Sequence, residues 1–191
     1  MSTNPPNDKP YGMDIEGANF DADKFVDFHE TRAEPGDNGT PIFMHPRKRE
    51  EFFVKGQELF NDEKFFEAHE EWEKLWMMET GRDRIFIQAL IQIAGHYVLL
   101  RKRVWSGAVR LADLSKQKLI LPPNQAYYRQ FDIVPLISAL NYNLHEVSMI
   151  QAELTKASIL NPTSSGEVPL GVDSASVKSS GLERFLVPKL F

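Results

Sequence analysis

Apolar residues recur at helical spacing in five successive stretches between about residues 46 and 155 of the 191-residue chain. The stretches begin near Pro46, at Asn61 or Asp62, near Asp83, after Ser106 and Gly107, and after Asp132. The sequence shows no alternation of apolar and polar residues between turn signals, the pattern typical of half-buried strands. Short connections favour antiparallel packing of neighbouring helices. The pattern therefore predicts an all-α fold, a single compact bundle of about five helices.

Residues that begin or end helices set the predicted bounds of these stretches. Asn61 or Asp62 suits the N-cap of the second helix, and Gly81 suits the left-handed position after its last turn. The cations at 101–103 lie where the dipole of the third helix favours positive charge. Asp132 is the expected cap of the fifth helix.

The segments that flank the bundle differ from it in composition. Residues 1–45 are rich in Pro, Gly, Asn and Asp and hold nine acidic residues against three Lys or Arg, which predicts an acidic, mostly disordered arm. Residues 46–157 form the predicted bundle domain, and residues 158–191 a flexible tail with an apolar end. That end, "LERFLVPKLF", is expected to dock either on its own domain or on a partner protein, and both alternatives stay open.

Composition excludes several classes of function. The chain has no cysteine, so disulfides, thiolate metal sites and thiol nucleophiles are excluded. A net charge of −5 at pH 7 is not the basic footprint of a nucleic-acid-binding protein. The longest uncharged run, residues 85–100, is shorter than the roughly 20 residues of a membrane span and predicts a buried helix. The N-terminus lacks the pattern of a signal peptide, and a cytoplasmic location is expected.

The stretch at 65–76, "FFEAHEEWEKLW", places two polar side chains within an apolar helix face. At about 100° per residue, His69 and Glu73 fall one turn apart in the middle of a stripe of Phe and Trp side chains. A carboxylate buried among aromatic rings is costly unless it is paired or hydrogen-bonded. We therefore expect Glu73 to accept a hydrogen bond from His69, which would fix the tautomer and raise the pKa of the imidazole.

The third helix carries two amides on an otherwise apolar surface, Gln88 and Gln92, also one turn apart. Buried amides need polar partners. We predict that the second and third helices meet along these faces and that both glutamines join His69 and Glu73 in one hydrogen-bonded network. Gly95, on roughly the same face, would let the two backbones approach closely.

Three interpretations of this network stay open. The first is a divalent-metal site, because His69 and Glu73 form half of a His and carboxylate ligand set. Glu70, His96 or His145, or water, would then supply the remaining ligands. The second is a general acid–base site with the histidine tuned by the glutamate, although no serine, threonine or lysine nucleophile is evident nearby. The third is a structural polar core that fixes helix register and performs no chemistry.

Three segments of the chain resemble a known bacterial and archaeal family. The segments are "FNDEKFFEAHEEWEKLW" at 60–76, "QALIQIAG" at 88–95 and "WSGAVRL" at 105–111. They are similar to the domain-of-unknown-function family 309. Its hallmark pattern HxxxExxW is met here by His69, Glu73 and Trp76.

The resemblance covers roughly residues 47–155 and implies an all-helical domain whose hallmark pattern has been suggested to bind metal. Glu67 and Glu70 also match family positions. We place four side chains in the polar network around the histidine–glutamate pair: Glu67, Trp76, Gln88 and Gln92. The predicted protein is thus a helical bundle with a buried His–Glu–Gln cluster that is a candidate divalent-metal site. The alternative is a non-enzymatic scaffold that binds a partner protein through its tails.

Overall fold

The structure, a computed structural model, describes residues 46–124, 126–160 and 182–191. Its helices are α1 (Pro46–Asn61), α2 (Phe65–Trp76), α3 (Gly81–Arg101), α4 (Trp105–Leu119), the single turn α5 (Ala126–Arg129) and α6 (Val134–Leu160). Within these described ranges there is no β-strand. The predicted all-α bundle of about five helices is confirmed, and α5 adds one short turn. The predicted acidic arm at 1–45 and the stretch 161–181 of the predicted tail lie outside the described residues.

Helices that follow one another in the sequence pack against one another from α1 to α4, and α6 packs on α4. Two contacts fix the relative direction of α2 and α3. At one end, Nη2 of Arg101 lies 2.9 Å from Oε2 of Glu63, just before α2 begins. At the other end, the Arg84 guanidinium lies 3.7 Å from the centroid of the Trp76 ring. The end of one helix thus meets the start of the other, so the two are antiparallel, as predicted.

The third helix is the centre of the core. Every residue from Phe86 to Leu100 is buried, including the polar side chains of Gln88, Gln92 and His96. A helix that is apolar all round is stable in water only when other elements surround it. The buried helix predicted from the run 85–100 is therefore found. Among the helices that the structure describes, none is long and apolar enough to cross a membrane.

Two helix ends differ from their prediction. Neither Asn61 nor Asp62 caps α2: the residue before that helix is Lys64, and no side chain caps it. The side-chain amide of Asn61 instead hydrogen-bonds to the backbone of Leu190. The side chain expected to cap a helix is thus used in a long-range contact. Gly81 has a φ of 57° and opens α3, whereas we expected it to follow α2 directly.

The remaining bounds follow the sequence more closely. Oδ1 of Asp132 accepts a hydrogen bond of 3.0 Å from the N–H of Val134, the first residue of α6, as expected of a cap. That helix continues to Leu160, past the expected end of the bundle at residue 157.

A glycine brings the first two helices close together. Gly56 on α1 is buried beneath the fully buried indole of Trp72 on α2. A Cβ atom at this position would lie 2.6 Å from Cε2 of that ring. The indole N–H also donates to the carbonyl of Phe53, at 3.2 Å, one turn earlier on α1. The absence of a side chain at Gly56 is thus what allows this packing.

Candidate functional site

The structure buries His69 and Glu73 within the bundle, with 0% and 3% of their surface exposed. They belong to the inward face of α2, whose members are Phe65, Ala68, His69, Trp72, Glu73, Leu75 and Trp76. Burial lowers the pKa of His69 from its ordinary 6.5 to about 3. We expected the neighbouring carboxylate to raise this pKa, and the direction is wrong because the loss of solvent around a fully buried ring dominates. The imidazole is therefore neutral at pH 7.

The two glutamines of the predicted network are also buried. Gln88 and Gln92 lie on α3, the helix that packs along α2. The meeting of these two helices is therefore found, while the single hydrogen-bonded network of four side chains stays a prediction. Such a network would hold the register of the two helices.

The other predicted site residues on α2 have different surroundings. Glu67 is exposed, because a position two residues from His69 lies on the far side of a helix. Glu70 is half-buried, and Trp76 is buried beneath the guanidinium of Arg84. On α6, His145 is exposed. Two of these four side chains are thus exposed, one is half-buried and one is buried, so they do not share one environment.

The predicted metal ligands are not found grouped together in the part of the chain that the structure describes, and the metal site stays a prediction. Among residues 46–124, 126–160 and 182–191, no three His, Asp or Glu side chains are grouped so that they could hold an ion. Of the four predicted ligands, His96 is committed elsewhere: its Nδ1 lies 2.8 Å from the carbonyl oxygen of Ala108 on α4. The set His69, Glu73, Glu70 and His96 is thus not assembled, and we derive no chemistry from it.

His96 belongs to a second polar cluster, deep between α3, α4 and α6. A carbonyl can only accept, so Nδ1 of His96 carries the hydrogen and Nε2 is an acceptor. That acceptor lies 3.4 Å from Nδ2 of Asn143, a fully buried amide on α6. Burial lowers the pKa of His96 to about 4, against the opposing effect of the Ala108 carbonyl. The ring is a neutral, fixed tautomer that orients the asparagine amide.

The side-chain amide of Asn143 hydrogen-bonds to the backbone of the C-terminal segment, residues 182–191, which we call the strap. Oδ1 of Asn143 accepts from the N–H of Leu186 at 2.8 Å, and Nδ2 donates to the carbonyl of the same residue at 3.1 Å. The hydroxyl of Tyr97 donates to that carbonyl as well, at 2.7 Å. Burial raises the pKa of this phenol, so it stays a donor at neutral pH. Both backbone groups of one strap residue are thus satisfied by side chains.

A second asparagine repeats the arrangement four residues further along the strap. Oδ1 of Asn61 accepts from the N–H of Leu190, and Nδ2 donates to its carbonyl, each at 2.8 Å. Nζ of Lys189 adds a bond of 2.5 Å to the backbone carbonyl of Asn61. A residue can present both its N–H and its C=O to one side when its backbone is near-extended, as in a β-ladder. At Leu186 and Leu190 the backbone of the strap is therefore held by side-chain amides in place of a neighbouring strand, whereas at its start the N–H of Phe185 donates to the carbonyl of Leu182 at 2.7 Å in a turn.

Apolar side chains anchor the strap between these polar contacts. Its buried members are Leu182, Phe185, Pro188 and Leu190. The ring of Phe185 lies 6.1 Å from that of Trp105, centroid to centroid. Of the two outcomes considered for the apolar end of the chain, the structure shows docking on its own domain.

A third cluster lies at the opposite end of α3. The buried carboxylate of Glu79 accepts from the hydroxyl of Tyr128, at 2.5 Å, and pairs with Nε of Arg49, at 2.6 Å, both on Oε1. Burial raises the pKa of Glu79, and the nearby Asp83 carboxylate adds to the rise, while its two partners oppose it. Asp83 itself accepts from the backbone N–H of Asn124 at 2.9 Å. The cluster ties α1 and α5 to the connection between α2 and α3.

Buried hydroxyl groups of the bundle act as hydrogen-bond donors to other groups of the protein. The buried hydroxyl of Ser115 donates to its own helix at Ala112, at 2.8 Å. The buried tyrosines Tyr97 and Tyr128 both have raised pKa values and act as donors. These buried groups thus bind protein backbone or another side chain of the bundle.

Residues 53–111 match a family model described as Domain of unknown function (DUF309). Over this range the chain is similar to that family. The match begins in α1, ends in α4 and includes both buried histidines, so the family resemblance expected from the sequence is confirmed over this range. Asn143 and the strap lie beyond the matched DUF309 segment. No curated protein and no solved structure matches the chain significantly.

The strap site could not be found from local sequence patterns. Asn61 resembles a helix cap, and Asn143 is one polar residue in the apolar stripe of α6. The sequence signal for this site was Asn143, because an amide on an apolar helix face needs a hydrogen-bond partner, as the glutamines of α3 do. The residue whose backbone it binds, Leu186, is 43 positions away in the sequence.

Proposed function

We propose that the protein is a non-enzymatic interaction module whose helical bundle binds an extended polypeptide segment through Asn61 and Asn143. The observation that carries this proposal is the pair of reciprocal amide contacts to the backbone of Leu186 and Leu190. In the resting protein the strap fills the site. A segment of a partner protein takes its place when the strap leaves.

Backbone recognition is what makes such an exchange feasible. Every non-proline residue carries one N–H and one C=O, so a segment of different sequence can satisfy the same two asparagines. The amide of Asn143 is fully buried, and leaving it uncovered would cost about 1–3 kcal/mol per unsatisfied group. The site therefore favours states in which some extended segment occupies it.

The remaining polar interior supports a scaffold rather than a reaction centre. His69 and His96 are both neutral and fully buried, and no cluster that could hold a metal is found in the described residues. Buried polar groups that are satisfied inside a bundle restrict the ways in which its helices can pack. A rigid bundle is the support that a binding site for an extended chain requires.

The test uses the full chain with a protease recognition sequence inserted between Ser164 and Ser165, so that the strap can be cut free while still bound. A fluorescent peptide, LERFLVPKLF, is then added and its anisotropy is measured. We expect the peptide to bind the cut protein and to be excluded from the uncut protein, where the tethered strap competes at an effective concentration of about millimolar order.

The asparagines are tested by substitution in the cut protein. Asn143→Ala removes two backbone hydrogen bonds and should weaken the peptide by about 10- to 100-fold. The matched control is Asn141→Ala, an exposed position on the same helix, which should bind as the unaltered protein does. Circular dichroism establishes that each variant is folded, and Asn61→Ala serves as a second probe. Failure of the peptide to bind, or equal affinity in all variants, would contradict the proposal.

The metal hypothesis drawn from the sequence has its own test. Because no three His, Asp or Glu ligands come together in the described residues, we expect protein purified without chelators to hold well under one equivalent of any divalent metal. Elemental analysis of the full chain measures this directly. One equivalent that is lost in the variant His69→Gln would restore the metal site predicted around that residue and displace the scaffold proposal.

A further inference from the structure

We infer that Glu79 is an acid-operated latch: its ionised carboxylate holds the first turn of α1 on the bundle, and its protonation releases that turn. The carboxylate belongs to the connection between α2 and α3 and is 3% exposed. The partner that leaves is Arg49, in the first turn of α1. The partner that stays is Tyr128, on α5. The latch is separate from the strap and from the asparagines that bind it.

The first turn of α1 lacks the charge that stabilises the start of a helix. It reads Pro-Arg-Lys-Arg at 46–49 and contains no acidic residue. The N-terminus of a helix carries a partial positive charge, so cations there are unfavourable and an acidic group is favourable. Glu79 compensates one of these cations from a different segment, with its Oε1 2.6 Å from Nε of Arg49. The first turn therefore depends on a carboxylate that is not its own.

The first turn of α1 also lies mostly in solvent. Of residues 47–51, only Arg49 is not exposed. The buried apolar side chains of α1 begin at Phe53, whose ring lies 5.3 Å from that of Tyr128, centroid to centroid. Helix starts open readily because their first N–H groups have no partner within the helix. Loss of the charge on Glu79 is thus expected to loosen residues 47–51 and to leave α1 in place from Phe53 onward.

The two partners of the carboxylate respond differently to its protonation. The hydroxyl of Tyr128 is a neutral, buried donor, and a neutral carboxyl group still accepts a hydrogen bond from it. Arg49 is a cation whose side chain is 26% exposed, so it can turn into water once the carboxylate has lost its charge. Hydrogen bonds to ionised groups are roughly twice as strong as neutral ones. Protonation of Glu79 therefore weakens the attachment of α1 and spares that of α5.

The groups around Glu79 set the pH at which the latch opens. Burial raises the pKa of this carboxyl above its ordinary 4.5, and the Asp83 carboxylate on α3 adds to the rise, while Arg49 and Tyr128 oppose it. The guanidinium of Arg84 donates to the backbone carbonyl of Glu79 at 3.5 Å. The ion pair is thus present above the raised pKa and is lost as the pH falls through it. The cost of the buried charge disappears in the same step, so the bundle stays folded while its first turn loosens.

Hydrogen–deuterium exchange of the full chain tests the latch, with the variant Glu79→Gln as an uncharged reference. At pH 7, peptides covering residues 47–52 should exchange about ten-fold faster in the variant than in the native protein, as expected for one lost charge-assisted bond. The ratio of the two rates should approach one when the pH is lowered to 4.5, because native Glu79 is then protonated. Effects of pH on the histidines are common to both proteins and cancel in this ratio. Peptides covering residues 128–134 should exchange equally in both proteins.

Two further variants complete the test. Arg49→Gln removes the other half of the latch and should loosen residues 47–52 at pH 7 as Glu79→Gln does, which keeps the test decisive if the latter fails to fold. Lys48→Gln removes an exposed cation of the same turn and should not loosen it. The latch is overturned if neither Glu79→Gln nor Arg49→Gln speeds exchange at residues 47–52. It is also overturned if the ratio for Glu79→Gln is the same at pH 7 and pH 4.5, or if residues 128–134 loosen equally.

Discussion

Replacing Gly56 by alanine is expected to lower the free energy of unfolding by about 3 kcal/mol. Alanine is the better helix former by about 1 kcal/mol, so local propensity alone predicts a gain. The added methyl group would, however, lie inside van der Waals contact with three atoms of the Trp72 indole. That ring is fully buried and is held by its bond to the Phe53 carbonyl, so it has no room to withdraw. Urea denaturation followed by circular dichroism measures the loss.

Two controls identify the cause of this loss. Glu51→Ala, at an exposed position of the same helix, should change stability by less than about 0.5 kcal/mol. In a Trp72→Phe background, where the ring is smaller, the additional cost of Gly56→Ala should fall well below its cost in the native protein, as expected of directly coupled sites. A variant Gly56→Ala that melts at a higher temperature than the native protein would mean that the two helices are further apart.

Acidification is expected to destabilise the protein between about pH 6.5 and pH 4. His69 and His96 have folded pKa values of about 3 and about 4, below the ordinary 6.5. In this window the unfolded chain binds protons that the folded protein does not, so stability falls with pH, by up to about 1.4 kcal/mol per unit for each histidine. The loss from pH 6.5 to pH 4.5 is therefore on the order of 4 kcal/mol. Urea denaturation at several pH values measures it.

The buried carboxyl group of Glu79 changes stability with pH in the opposite direction, and its effect can be separated from that of the histidines. The raised pKa of Glu79 means that its protonation favours the folded state, so its contribution to stability grows as the pH falls towards its ordinary 4.5. The variants His69→Gln and His96→Gln should each flatten the histidine-dependent slope by about half, whereas His145→Gln, at an exposed position, should leave it unchanged. A stability that is constant across this window in the native protein would show that the two rings are hydrated.

Residue pattern predicted those features that depend on one helix at a time. The wheel position of His69 and Glu73 places them on the inward face of α2, and an uncharged run placed α3 in the core. A helix face is set by periodicity, which a sequence displays directly. The same patterns predict close backbone approach at Gly95, which stays a prediction, and they gave no sign that Gly56 lies against the ring of Trp72. Which glycine faces a large side chain depends on the partner helix.

Features that depend on distant residues could not be predicted. Local rules gave Asn61 a capping role, but its amide is used by a residue 129 positions away. The pKa of His69 is lowered because the surrounding residues exclude water from the ring. The sequence showed only the neighbouring Glu73, and we expected that carboxylate to raise the pKa. The strap site joins residues from α1, α3 and α6, so no window of the sequence contains it.

The long sequence separation of the strap contacts also determines the order of folding events. Helices α1 to α4 pack on their neighbours in the chain, and such local topologies form quickly. The bonds at Leu186 and Leu190 close loops of 43 and 129 positions, whose entropy is lost before any contact is gained. Attachment of these two residues is therefore a late, separate step on the way to the native state, and their detachment is an early one on the way out.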